Sequence, residues 1–270
     1  ELLSYRLASH TGPSSPSWMT YSATLIQFPL GLVGTAISIA ILPVLSRQAK
    51  RGNADQFRST LGQGLRLVVA LTVPATIGLW VLSTPVVKLV FEHGDFTPVD
   101  TVATVAALRF HLIGLVFAAV DQPLIFSFYA RQDTWTPALV GVATVILYVV
   151  AALAPTLFVP LTLNGLILAN SLKWAAHAIL MIILLRRRMG GLAGQGLWRT
   201  VFTAVPLSLL MGGAVHLLVV GLSAIVPPGT MGEIVVVGVS GVVGLGVYGG
   251  LASLVGMKEI VLLRRSLRIG

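Results

Sequence analysis

Pro137-Ala-Leu-Val-Gly-Val-Ala-Thr-Val-Ile-Leu-Tyr-Val-Val-Ala-Ala-Leu-Ala-Pro-Thr156 runs without one charged side chain. A helix crossing the hydrocarbon of a bilayer needs about 20 mainly apolar residues, so this stretch alone predicts a membrane span. Outward from it in both directions the same pattern repeats, over 18–45, 62–90, 98–129, 161–185, 199–224 and 231–256. Hydrophobic residues make up 56% of the chain and charged residues only 10%, against about 25% charged in a soluble domain. Lipid, rather than water, faces most of this surface. Backbone in lipid must bond to itself, which leaves helices or a closed barrel, and these runs lack the alternation of a barrel wall. The predicted fold is an all-α polytopic membrane protein with about seven transmembrane helices.

Lys and Arg near the helix ends set the orientation, because such residues stay cytoplasmic. Arg47, Lys50, Arg51 and Arg58 fill the first connection, Arg186, Arg187, Arg188 and Arg199 a later one, and Lys258, Arg264, Arg265 and Arg268 the C-terminal tail. Segments around 10–17, 92–97, 156–161 and 225–230 carry no Lys or Arg and are placed outside. Arg131 falls inside by alternation, and the C-terminus is expected to be cytoplasmic. Most of the net charge of +9 is thereby explained by an inner rim facing anionic lipid, without nucleic acid. The chain contains no cysteine, which removes disulfides and thiolate metal sites.

The chain opens on Glu1-Leu-Leu-Ser-Tyr5, and residues 1–9 read as the outer end of a preceding helix that leaves through Gly12, Pro13 and Pro16. Seven spans after such a remnant suggest half of a transporter built from two repeated halves. Thr97, Pro98 and Asp100 form a helix start with a capping box, and Thr136-Pro137 marks another. Residues 51–61, with Phe57 and Leu61 among charges, fit either an amphipathic turn on the inner membrane face or a solvated loop. Pro29, Pro74, Pro85 and Pro123 fall inside predicted spans; each is a hinge, or simply the proline that membrane helices tolerate. Gly238, Gly241, Gly244, Gly246, Gly249 and Gly250 thin the surface of the last span, for close packing before a groove for a lipid tail.

Ionisable residues within membrane helices are functional candidates by default. Arg109, Asp121 and Lys173 are singled out here. Arg109 and Asp121 lie more than three turns apart on one helix and do not pair with each other. Asn170, Lys173 and His177 share one face, which should point into a cavity or the bundle. A cationic pocket there suits a phosphate or pyrophosphate head group; the alternative is a purely structural pairing with Asp121 or with carbonyls. Enzyme chemistry finds no support: there is no Gly-x-Ser-x-Gly elbow, no His-Glu-x-x-His pair and no Walker loop. No cofactor or metal is implied.

Gln27-Phe-Pro-Leu-Gly-Leu-Val-Gly34, Ile41-Leu-Pro-Val-Leu-Ser46, Phe91-Glu-His-Gly-Asp-Phe96 and Phe128-Tyr-Ala-Arg-Gln-Asp-Thr-Trp-Thr-Pro137 resemble, in order, the second half of the MurJ/MviN lipid II flippase family of bacterial cell-wall synthesis. These motifs cover roughly 17–137, while helix number, order and topology extend the likeness over the chain. The resemblance implies a fourteen-helix exporter fold whose lobes form a V around a cationic cavity. It implies that this chain is the C-terminal lobe plus two extra helices, divided as 1–17, 18–188 and 189–270, and lacks the N-terminal half, its partner. A lipid-linked anionic substrate and membrane lipids are the other implied partners, in the bacterial cytoplasmic membrane. By position, the helices at 199–224 and 231–256 would line a groove for the polyprenyl tail.

The chain also departs from the family. Ala23-Thr24 stands where many members have Asp-Arg, so Thr24 lacks the cavity charge; Gln27, one turn on, keeps a polar group, and Arg109 or Lys173 would supply positive charge. The helix matching 137–156 contains neither Asn nor Asp, the residues through which some relatives bind sodium. The leading expectation is an alternating-access lipid II flippase with Thr24, Gln27, Arg109, Asp121 and Lys173 on the substrate side. An exporter of other polyprenyl-linked sugars or drugs, and a non-transporting membrane scaffold, are the alternatives.

Overall fold

The computed structural model describes residues 2–192, 194–257 and 259. Helix α1 (Leu2–Ser9) leads through a turn to α2 (Ser15–Pro29), then α3 (Ala36–Lys50), α4 (Ala54–Val81), α5 (Ser83–Phe91) and α6 (Pro98–Tyr129). α7 (Trp135–Leu153), α8 (Leu163–Met189), α9 (Leu197–Ile225) and α10 (Thr230–Leu254) complete it. Seven segments among the described residues are long and apolar enough to cross a membrane. The basic tail residues Lys258, Arg264, Arg265 and Arg268 lie outside the described residues.

Local chemistry explains where most helices begin. The Thr97 side chain accepts from the Asp100 amide, and Asp100 accepts from the Thr97 amide at 2.8 Å, the reciprocal cap read from sequence. Thr162 accepts from Gly165 N at 3.1 Å to open α8. Before α7, the Asp133 carboxylate accepts from the amide and hydroxyl of Thr136, at 3.0 and 2.7 Å. Within 51–61, residues 51–53 form an exposed turn and the rest is already the start of α4. Asn53 caps α4 by accepting from Gln56 N at 3.1 Å, and Phe57, Leu61 and Leu65, one turn apart, are fully buried against Leu45, Phe128 and Met181. The apolar stripe therefore continues the helix two turns ahead of the predicted start.

The prolines divide by setting. Pro85 has no N–H to give the Val81 carbonyl, and the predicted span 62–90 is broken at Leu82 into α4 and α5. Pro29 ends α2, and Leu30–Thr35 follows as a π-helical stretch that carries the chain into α3 without leaving the span. Pro74 and Pro123 sit inside continuous helices. At the π-helical stretch the chain comes so close to α6 that a Cβ on Gly34 would stand 3.2 Å from the Ala119 Cα.

α6 is the axis of the bundle and packs against α8, α4 and α2, while α9 lies on α4 and α10 against α9 and α5. Lipid tails are as apolar as leucine, so close fit and interhelical polar contacts hold such a bundle. Trp18 Nε1 donates to Asp100 at 2.8 Å, Ser171 Oγ to the Phe110 carbonyl at 2.9 Å, and the Tyr248 hydroxyl to the Ala70 carbonyl at 2.7 Å. The last contact fixes α10 to α4. The glycines of α10 mostly do not serve close packing: a Cβ on Gly244 would meet Val215 at 3.0 Å, but at Gly238, Gly241, Gly246, Gly249 and Gly250 nothing lies within 4 Å. Their bare face looks away from the neighbouring helices.

Candidate functional site

Between the bundle and the first half of α9 lies an apolar groove of about 1200 Å³. Ile77 and Trp80 of α4, Phe117 of α6, Ile182 of α8, and Trp198 and Val205 of α9 form its walls. Among the described residues Arg186 is the one charged side chain that lines it, at the end where Gly190, Gly191, Gly194 and Gly196 connect α8 to α9. An apolar trough with one cationic end has the polarity of a lipid. No residue of α10 lines the groove. The groove thus does not run between the last two helices: α9 is one wall, and α4, α6 and α8 form the others. The cause is packing, because α9 lies along α4 and leaves its first half apart from α8, whereas α10 closes on α9 and α5.

The five sequence-predicted residues occupy separate surroundings. Thr24 and Gln27 are exposed on one face of α2, where Thr24 Oγ1 donates back to the Thr20 carbonyl at 2.9 Å. Arg109 is exposed one turn before Ile113, which lines the groove. Its Nε donates to Ser83 Oγ at 3.2 Å, and its guanidinium lies 6.0 Å from the centre of the Trp80 ring. It therefore stands beyond the end of the groove opposite Arg186.

Asp121 is buried in the last third of α6 and bonds through Oδ1 to His177 Nδ1 at 2.7 Å, each side chain 11% exposed. The residue that meets Asp121 is thus His177, one turn along α8 from Lys173. Lys173 Nζ lies 5.7 Å from the Tyr148 ring centre and 5.8 Å from that of Trp174, where an ammonium is attracted to the ring faces. Of the Asn170, Lys173 and His177 face, all half-buried, His177 meets α6 and Lys173 approaches Tyr148 of α7. Beside it, Ser22 Oγ bonds His111 Nδ1 at 3.1 Å, joining α2 to α6.

Arg66 falls inside the predicted span 62–90 and carries the same signal as Arg109, a charge on a membrane helix, yet it stands outside the predicted set. Its Nε donates to Glu259 at 2.9 Å, and its terminal nitrogen donates to the Gln195 carbonyl. The same end of the bundle holds the contact of Arg58 with the Met189 carbonyl at 2.9 Å and the ion pair of Arg188 with Asp133. Among the described residues, the basic connections around 47–66, 131–133 and 186–199, remote in sequence, thus meet at one end. Burial pushes the Asp133 carboxyl up, but the Thr136 hydrogen bonds and Arg188 outweigh it and hold the group below the ordinary carboxylate range.

Comparison with known proteins gives one family. The sequence model described as "Lipid II flippase MurJ" matches residues 1–237. A probable lipid II flippase MurJ of Vibrio cholerae serotype O1 is 39% identical over 140 residues, covering 52% of this chain and 27% of that protein. The Bdellovibrio bacteriovorus protein of the same description is 27% identical over 269 residues, 98% of this chain and 50% of its own length. This chain therefore spans about half the length of the relatives it matches from end to end. A solved structure, "Lipid II flippase MurJ, inward closed conformation", superposes with a TM-score of 0.74 over 92% of this chain and 48% of that one, at 21% identity. At that identity the likeness concerns the fold.

Proposed function

The chain belongs to the lipid II flippase MurJ family, and from this premise we propose that it is the C-terminal lobe and two additional helices of a lipid II flippase. In this reading residues 1–17 close a preceding helix, 18–188 form the lobe, and 189–270 add α9, α10 and a basic tail. An N-terminal half of the same protein completes the V. The substrate is undecaprenyl-pyrophosphate-linked peptidoglycan precursor, moved from the inner to the outer leaflet of the bacterial cytoplasmic membrane by alternating access. The C-terminus is cytoplasmic, as the gathered arginines favour.

The observation that carries the reading is the groove, whose apolar walls and single basic end match a polyprenyl chain ending in a phosphate. Roles follow from the settings of the side chains. Thr24 and Gln27 offer polar contacts to the head group from the exposed face of α2. Arg109 and Lys173 supply the positive charge that the Thr24 position lacks, and Asp121 acts through His177 by holding α8 in register with α6. Transport chemistry needs no bond broken in the substrate, so the residues bind and release rather than react.

Complementation tests this. The gene that encodes the chain is expressed in a bacterium depleted of its own lipid II flippase, alongside Arg109→Gln and Lys173→Gln. Rescue by the unaltered gene, with loss of rescue by variants that still insert and fold, is the expected result. Failure of the unaltered gene despite insertion would favour another lipid-linked substrate or a scaffold, for which the uncharged Ala23-Thr24 is the motive. Full rescue by the folded double variant would remove Arg109 and Lys173 from the substrate path.

A further inference from the structure

Where the first turn of α9 meets α4, a second cavity, of about 380 Å³, is lined by Arg66, Gln195, Arg199, Thr200, Thr203 and Glu259 among others. Its lining shares Gly194 and Gly196 with the apolar groove, so polar cavity and apolar trough adjoin across one short loop. The Glu259 carboxylate shows what the cavity holds. Its Oε1 accepts from Arg66 Nε at 2.9 Å and from Thr200 Oγ1 at 3.1 Å, with the Arg66 and Glu259 side chains 22% and 11% exposed. A guanidinium and a hydroxyl converging on one oxygen also fit a phosphate oxygen. Among the described lining residues, Arg66 and Arg199 against Glu259 leave one positive charge, which matches the single negative charge of a phosphodiester.

We propose that this cavity binds the phosphate head of an anionic phospholipid of the inner leaflet, in competition with Glu259 for Arg66, while the lipid's chains run into the adjoining groove whenever the substrate's chain does not occupy it. The proposal rests on the proposed orientation, which puts this end of the bundle at the cytoplasmic leaflet. Arg199, exposed at the rim, and Thr203, one turn on, face the incoming head group, and Glu259 is a carboxylate in the chain that holds the Arg66 position when no lipid is present. Anionic lipid is then retained at this place in preference to zwitterionic lipid, and Glu259 sets how strongly.

The test is lipid retention, a readout independent of transport. The protein is delipidated, exchanged against vesicles of phosphatidylcholine containing a minority of phosphatidylglycerol, re-isolated, and its bound lipid counted by mass spectrometry. Expected are several-fold enrichment of phosphatidylglycerol in the unaltered protein, further several-fold enrichment in Glu259→Gln, and none in Arg199→Gln, with partial return in Arg199→Lys. Arg199 is chosen because its side chain is exposed, so the fold survives its loss. Equal retention by Arg199→Gln and the unaltered protein, or no gain in Glu259→Gln, would overturn the proposal. Complete displacement of the lipid by inorganic phosphate would also overturn it, in favour of a site for the free ion. Because no flipping is measured, this result stands or falls apart from the complementation.

Discussion

Helices α6 and α10 have almost the same mean hydropathy over their most apolar windows, 1.9 and 2.1, yet 56% of the first window is buried and only 22% of the second. Both are rich in small residues, but those residues serve opposite ends. On α6, a Cβ at Gly114 would stand 2.8 Å from the Ser171 Cα and 2.7 Å from both Ser171 Oγ and the Trp174 ring, so only glycine lets α8 come this close. On α10, Gly246 faces open space. Hydropathy tells a helix that lipid accepts it, and says nothing about which neighbour it touches. That second fact comes from the few polar and small side chains at which two helices meet.

The contrast can be broken most sharply at the polar core of α6. His177→Leu leaves the Asp121 carboxyl buried without its partner, and should lower unfolding free energy in lipid or detergent by about 3 kcal/mol; an unchanged unfolding curve would mean that the pair does not hold α6 to α8. Gly114→Ala forces the same two helices apart and should cost about 2 kcal/mol, read in the same titration. The pairing at the basic end is weaker, since Arg188 is half exposed. Asp133→Asn should cost about 0.5 kcal/mol near neutral pH. Because the folded-state carboxyl is held below its ordinary range, this contribution is complete above that range and disappears as pH falls through the folded-state value. The variant and the unaltered protein should therefore converge in strong acid and diverge at neutrality. Gly246→Ala, on the open face of α10, should have the smallest effect, a gain of about 0.5 kcal/mol from helix propensity. A loss there as large as at Gly114 would show that α10 packs against a partner.

Charge and apolar length made the spans and their order readable, because a backbone in lipid has few alternatives. The start of α6 was readable to the residue, since Thr97, Pro98 and Asp100 act on each other locally. The start of α4 was not: Phe57 and Leu61 look amphipathic among charges until Leu45 and Phe128, distant in sequence, bury them. The break at Leu82 needed Pro85 to be weighed against a run of hydropathy that passes straight over it. For the site, a charge on a membrane helix identified Arg109, Asp121 and Lys173 as worth attention, but pairings across helices were out of reach. Nothing local joins Asp121 to His177, or Arg66 to Glu259. The groove had the same difficulty, because its position depends on which helix α9 lies against.

The central claim of the proposed function is that the substrate's lipid chain lies in the groove between the bundle and α9, and not on the glycine face of α10. A photoreactive residue placed at Phe117 or at Leu245 of the protein, with a radiolabelled polyprenyl-pyrophosphate-linked precursor in the membrane, tests it directly. Crosslinking at Phe117 that unlabelled precursor suppresses, with only unsuppressed background at Leu245, is the predicted result. Suppressible crosslinking at Leu245 and none at Phe117 would contradict it.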